Sequence, residues 1–543
     1  MSTPDDSNTW ERPPADGGEQ LGQHTPGRPT LSRPSLSRTS LGRVGAQATA
    51  GAGRRIQVAV AVFAAIGVGV AYGYGVAPAA SKPQTAVAAK STPVRTATLV
   101  CPDVIGSNDA TVNAITPAGA AGGITPAAGD KATLTALGGK SPLATLKQPG
   151  ALSVNTGLGG NIANIQQESI PITGQAGGGY APGFTVTETL AGGTTAGTHG
   201  LASTPCTAPD TDFWFLGADP GEKSNALINL FDSDQLAAQV NLTAYTPTGQ
   251  AGLGATELGQ GRLVPPGGQH DPIDLNGFSS TGDPIALHVV ATAGRVSAAL
   301  LDSDGMGGRD FLLAQKPAAH LMLPGIPAPS AKPASRMKLQ LLLFSPTTDT
   351  DASLHWIGTS KIVPTVTAPH LTAGKVEQLD ISSVPGPGEA GALQIDTAGN
   401  VPILAAIKVT AEGGTDTAYL SPVPALAGEA VVADDKPGSS VELTNNGTQS
   451  AQAKVTIESA TGAPTPQTVT IPAQSTKLVA LQAPQGATSF AVSVAPLAGA
   501  ASLYAARVMS GGGMLTIQPM ATALETVQIP AVLGDLSGSV PQP

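Results

Sequence analysis

The stretch 439–510 constrains this chain more than any other. It runs SSVELTNNGTQSAQAKVTIESATG, then QTVTIPAQSTKLVAL, then FAVSVAPLAGAASLYAARV, with apolar and polar residues alternating inside each run and Gly, Pro and Asn between the runs. A period of two, broken by turn formers, specifies short antiparallel strands joined by tight connections. The same pattern occurs twice upstream. One copy holds SNALINLFDSDQLAAQVNLTAYTPTGQ, GRLVPPGGQHDPIDL and IALHVVATAGRVSAALLDSD; the other holds MKLQLLLFSPTTDTDASLHWIG, HLTAGKVEQLDI and GALQIDTAGNVPILAAIKVT. Each copy has a hairpin tip built on glycine, at Ala293-Gly294, Gly399-Asn400 and Ala498-Gly499. Glycine and asparagine tolerate the positive φ that tight hairpins need.

Each copy also carries a tail: FLLAQKPAAHLMLPGIP, YLSPVPALAGEAVVADD and MLTIQPMATALETVQIPAV. A repeat is then roughly 90–110 residues with six or seven strands, the size of an immunoglobulin-like sandwich. The expected fold is mostly β: tandem immunoglobulin-like β-sandwich modules after one transmembrane helix. A β-propeller is the alternative architecture, although the repeat is about twice a blade in length and shows no blade signature. Aromatic residues are 3% of the chain, so the core must be built from Val, Leu, Ile and Ala. Charged residues are 12% and the net charge is −10, a balance that excludes nucleic-acid binding by a basic face.

The 543 residues divide into seven segments by composition. Residues 1–55 are rich in Pro, Gly, Ser, Thr and Arg and read as a disordered cytoplasmic tail. Ser32, Ser35, Ser37, Thr39 and Ser40 lie beside basic residues there, which makes phosphorylation one reading and a solvated tail the other. Residues 56–76, IQVAVAVFAAIGVGVAYGYGV, carry no charge and are long enough to cross a bilayer as a helix. Arg54 and Arg55 precede the segment and no basic residue follows before Lys82, so the amino terminus is expected in the cytoplasm and the rest outside the plasma membrane. Tyr72 and Tyr74 suit the outer interface, and Ala77-Pro78-Ala79 admits a cleaved signal as the rival of an uncleaved anchor. A linker is expected over 77–95 and a disulfide-closed β domain over 96–210. Three β repeats follow at 211–325, 326–430 and 431–543, the last with a C-terminal strand. Cys101 and Cys206 are the only cysteines, and an exported location lets them pair.

Candidate chemistry is sparse. Asp302-Ser303-Asp304-Gly305 followed by Asp310 has alternating carboxylates, but lacks the glutamate that closes a calcium loop; a hairpin exit is the plainer reading. Gly138-Gly139-Lys140-Ser141 lacks the first glycine of a P-loop. His199, His270, His288, His320, His355 and His370 show no metal-ligand spacing, and no Gly-x-Ser-x-Gly elbow occurs. No catalytic, cofactor-binding or metal residue is expected. Asp210, Asp212 and Trp214 mark a candidate interaction surface, with Asp219 beside them; the other reading of Phe213-Trp214-Phe215 is a buried strand anchoring the disulfide domain to the first repeat.

A set of motifs lies on this frame: Cys101-Pro102; Cys206 followed by Trp214, Phe215 and Gly217; Gly308-Arg309-Asp310-Phe311; and Leu323-Pro324-Gly325. In these the chain, from Cys101 onward, resembles the actinobacterial envelope protein family known as domain of unknown function 5719. That family's pattern usually has Trp where Phe311 stands. The resemblance implies a membrane-anchored extracytoplasmic protein of a high-GC Gram-positive organism, with no assigned catalytic residue. Three functions are therefore expected in order. The first is a cell-envelope scaffold or interaction module whose partners are the membrane, through 56–76, and cell-wall polysaccharide or an envelope-assembly protein. The second is an enzyme acting on envelope glycans, with Asp210, Asp212 or Asp302 among its carboxylates. The third is a single-pass envelope sensor.

Overall fold

The computed structural model describes residues 90–529, apart from short internal stretches at 103–109, 118–124, 147–152, 158–169, 193–198, 222–223, 253–258, 280–281, 304–307, 331–336, 360–361, 364–367, 437, 460–462, 488 and 498–501. The tail 1–55 and the segment 56–76 lie outside the described residues, and so do their expected phosphorylation sites and membrane crossing. Among the described residues no helix is long and apolar enough to cross a membrane.

The alternation becomes strands as expected. In Ala451–Glu458, Ala451, Ala453 and Val455 are buried while Gln452 and Lys454 are exposed, so one face meets a core and the other meets water. The chain is mostly β, and its strands form four units rather than three repeats plus an unrelated domain. The units span 96–205, 212–312, 320–420 and 430–519, here I to IV. In every unit one sheet runs, by chain order, first–sixth–third–fourth strand, and the facing sheet runs fifth–second–seventh–eighth. In units II and III the fourth strand is broken into two short pieces, and in unit II so is the fifth. Each pair of sheets encloses its own apolar cluster. A propeller blade is a single meander, so the interleaved order sets aside the propeller alternative.

One boundary between repeats shifts. Each of the first two tails read from the sequence holds the last strand of one unit and the first strand of the next. His320–Ile326 pairs with Gly391–Thr397 and so opens unit III, whereas the repeat pattern places it at the end of the segment closing at 325. The expected linker 77–95 is also shorter than its composition suggests. Lys90–Pro93 is a strand paired antiparallel with Thr526–Ile529, and Val94 N donates to Glu525 O at 3.0 Å.

The units contact one another head to tail. The first sheet of each packs on the second sheet of the next. Val100 of unit I meets Phe231 and Ala299 of unit II. Trp214 and Leu216 of unit II meet Leu342, Phe344, Leu404 and Ala406 of unit III. Unit III's core takes in Ala506, Val508, Leu515 and Ile517 of unit IV. Val431 and Ala433 of unit IV meet Ile115 of unit I, so the cycle of contacts closes. Head-to-tail contacts of this kind close a ring when the rotation per unit allows it. The opening strands of units II, III and IV carry a bulge at the contact. Gly217 sits at a bulge between Leu216 and Ala218 with φ +113°, and a Cβ there would lie 2.8 Å from Leu342 Cδ1. Gly325 repeats the device, with φ +99° and a Cβ position 2.6 Å from Ala506 Cβ. Glycine at these places supplies both the backbone conformation and the close approach.

Candidate functional site

The eighth strands of the four units, Leu201–Pro205, Arg309–Leu312, Thr417–Leu420 and Met514–Pro519, meet at a common junction. Two aspartates fasten it. Asp416 Oδ2 accepts the backbone N–H of Leu201 at 3.0 Å and of Leu515 at 2.9 Å, while its Oδ1 accepts Arg309 N at 3.3 Å and Thr417 N at 2.9 Å. One carboxylate thus takes one amide from each unit. Asp310 gathers one bond from each unit one layer on, three from amides and one from a hydroxyl. Its Oδ1 accepts Ser203 N at 3.3 Å, Phe311 N at 2.9 Å and the Thr516 hydroxyl at 3.1 Å, and its Oδ2 accepts Tyr419 N at 3.1 Å. A third layer follows, where Arg507 Nη2 donates to Ser203 Oγ at 2.6 Å and to Gln518 Oε1 at 2.8 Å.

Burial and amide donation pull these carboxyls in opposite directions. Burial prevails at Asp416, whose carboxyl is pushed up to about 6 against the amides of Leu515, Leu201, Thr417 and Arg309. Asp310 is held well above the usual carboxylate range, again by burial. Both side chains are buried and engaged in several bonds, so neither presents a free face to a substrate. Chemically the junction is a fastener.

The residues singled out by sequence fall elsewhere. Cys101 and Cys206 form the expected disulfide, with Cα atoms 4.4 Å apart, tying the end of unit I's opening strand to the residue after its closing strand. Asp210 and Asp212 lie together on the surface, about half exposed, with Lys316 Nζ 3.3 Å from Asp210 Oδ2 and 3.6 Å from Asp212 Oδ2. Asp212 Oδ1 also lies 2.7 Å from His288 Nε2. Trp214 does not share that surface: it is 7% exposed. Its ring stacks on His288 at 3.8 Å between centroids and lies 5.6 Å from Phe344 of unit III. The reason is strand alternation. Phe213 and Phe215 enter unit II's own core, so Trp214 points the other way. The aromatic run therefore anchors the first repeat to the second, not the disulfide domain to the first repeat.

Asp302 and Asp310 are cross-strand partners in a hairpin, in keeping with the plainer reading of that stretch. Asp302 is 1% exposed and takes the Tyr419 hydroxyl, so it does not join Asp210 and Asp212 at a surface. His320 and His370 make exposed pairs with Asp396 and Asp351 at 2.7 and 2.8 Å. Among the described residues no group of three or more His, Cys, Asp and Glu is placed to hold a metal. A cleft of about 310 Å³ between units I and II is lined by Phe184, Leu524 and the mutually bonded Asp234 and Arg295. Sequence reasoning missed Asp416 altogether. Its signal was the recurrence of an Asp at the start of a closing strand, at Asp310 and again just before Thr417–Leu420.

No curated protein sequence matches the chain. Among solved structures, it aligns with Escherichia coli alpha-2-macroglobulin activated by porcine elastase at 10% identity and a TM-score of 0.11, over 80% of this chain and 44% of that one. It also aligns with a tetra-tandem repeat from the extending region of a large adhesion protein at 12% identity and a TM-score of 0.09, over 80% of this chain and all of that one. At those scores neither likeness bears on fold or activity. A family model, by contrast, matches residues 162–482, more than half of the sequence, and the chain belongs to that family of unknown function (DUF5719).

Proposed function

We propose that this chain is a rigid extracytoplasmic platform of the cell envelope. Residues 56–76 hold it to the plasma membrane, and its four units are immunoglobulin-like sandwiches. It acts by presenting surface to cell-wall polysaccharide or to an envelope-assembly protein, and it turns over no substrate. One observation carries the reading: Asp310 and Asp416 each gather a bond from every unit, so these buried carboxylates fix relative position and do not line a cleft. A surface made by several units keeps its shape only when the units are held in one arrangement. The set Asp210, Asp212 and Asp302 gives the glycan-hydrolase reading no support, because hydrolysis needs two carboxyls facing across open space and Asp302 is buried under Tyr419.

Crosslinking in native cells, followed by mass spectrometry of the captured species, tests the proposal. Envelope proteins or wall glycan attached through residues beyond 90 are the expected result. Crosslinks confined to cytosolic proteins would overturn it.

A further inference from the structure

We propose that Lys408 and Asp219 form an intramolecular isopeptide bond that staples unit II to unit III. Asp219 directly follows the opening strand Asp212–Ala218 of unit II, and Lys408 lies in strand Leu404–Thr410 of unit III. Lys408 Nζ is 2.9 Å from Asp219 Oδ2. Their side chains are 13% and 33% exposed, so the pair is largely shielded from water. Ser224 Oγ donates to the Asp219 carbonyl and holds that loop. The Lys408 ammonium lies 5.7 Å from the centre of the Tyr419 ring, which forms an apolar wall.

A third carboxyl completes the site. Asp302 Oδ1 accepts Asp219 N at 3.4 Å, and Asp302 Oδ2 accepts the Tyr419 hydroxyl. Burial pushes the Asp302 carboxyl up to about 6, the Lys408 charge opposing it, so near neutrality it can both give and take a proton.

A lysine, an aspartate and a protonatable carboxyl in one shielded pocket are the components that amide formation requires. A proton passes from Lys408 Nζ to Asp219 Oδ2 along their contact, which leaves a neutral amine beside a carboxylic acid. The Nζ lone pair attacks Asp219 Cγ and forms the C–N bond. A second proton passes from Nζ to the departing Oδ2 within the same contact, while Asp302 holds the Asp219 backbone in place; the Cγ–Oδ2 bond breaks and one water leaves. Two hydrogens from the ammonium and one oxygen from the carboxylate make that water. Holding the two groups in contact replaces a bimolecular encounter by an intramolecular step, and the product removes two charges whose burial opposes the fold.

The full chain is digested under denaturing, reducing conditions and its peptides are weighed. The expected result is a branched peptide containing Lys408 and Asp219, about 18 Da (one water) below the sum of its parts. Recovery of the two peptides separately and at full mass from the natural chain overturns the proposal without recourse to any variant. Lys408→Arg must abolish the branched peptide; its persistence would likewise overturn the assignment. Asp302→Asn, which keeps the side-chain shape, should yield folded chains with the Cys101–Cys206 bridge intact but with at least a tenfold lower linked fraction. Folded Asp302→Asn chains linked as fully as the natural protein would remove Asp302 from the mechanism.

Discussion

The seam between units II and III and the seam between units IV and I occupy the same place in the strand order and both mix apolar packing with polar contacts, yet the opening strand contributes different residues at each. At the first, the bulge of the opening strand is Gly217, flanked by Leu216 and Trp214, and the partner surface is Leu342, Phe344, Leu404 and Ala406. At the second, the bulge falls between Val432 and Asp435 and delivers Asp434 into unit I. There Asp434 Oδ1 accepts Asn113 Nδ2 at 2.7 Å and Oδ2 accepts Thr111 Oγ1 at 2.7 Å, while Ala433 N donates to Thr187 Oγ1 at 3.0 Å. Units II and III are neighbours in the chain, so sequence order alone brings their apolar faces together. Asn113 and Asp434 are 321 residues apart. Apolar faces meeting across that distance would accept several registers, whereas hydrogen bonds to a buried carboxylate accept one. This is the specificity role of buried polar groups, applied to the contact that closes the cycle.

The comparison can be broken at either seam. Trp214→Ala should have the largest effect, about 3–5 kcal/mol of stability by loss of a buried aromatic. Denaturant unfolding should then show units I–II and III–IV uncoupling into two transitions. Asp434→Ala should come next, at about 2 kcal/mol, because it removes the carboxylate that accepts from Asn113, Thr111 and Ser489. Limited proteolysis should then cut first near the paired strands Lys90–Pro93 and Thr526–Ile529. An Asp434→Leu chain as stable and as protease-resistant as the natural one would show that the closing seam does not depend on polar specificity.

A pH series sharpens the comparison. Burial pushes Asp302, at the II–III seam, and Asp435, beside the closing seam, each up to about 6. A carboxyl whose folded value is raised contributes stability that is present below its unfolded value and is lost as pH rises through the folded value. Stability should therefore increase on acidification from about pH 7.5 to about pH 5, by about 1 kcal/mol for each such group. Asp302→Asn and Asp435→Asn should each remove their own share of that gain in thermal melts across the series. The smallest effect belongs to the strand pair itself. Truncation after residue 525 should cost about 1 kcal/mol, since an exposed two-stranded ribbon adds little by itself, and it should leave the II–III seam unchanged by hydrogen exchange.

Much of this was legible in the sequence. The alternation in 439–510 predicted the strands of unit IV, and its echoes predicted units II and III, because a half-buried strand must alternate wherever it packs. Unit I was legible as a disulfide-closed β domain but not as a fourth copy. Its strands Thr96–Cys101, Ala132–Ala136 and Pro142–Thr145 are short and separated by Gly- and Ala-rich stretches, so the order shared with the repeats is interrupted before it can be recognised. The boundary slipped for a related reason. A closing strand and the next opening strand lie adjacent in sequence, and nothing local says that they belong to different sheet pairs. Trp214 was visible as a notable residue, but an aromatic on a strand reads alike whether it faces a solvent surface or a neighbouring unit.

The sequence by itself determined the strand content, the repeated unit and the pairing of the only two cysteines, because each depends on local pattern or on composition. Only the tertiary structure decided that the disulfide domain is a fourth copy, that the first and last units meet, and that Asp310 and Asp416 are fasteners. Those facts depend on which groups the closed cycle brings together across hundreds of residues. A carboxylate that binds one amide from each of four units has no signature within any single one of them.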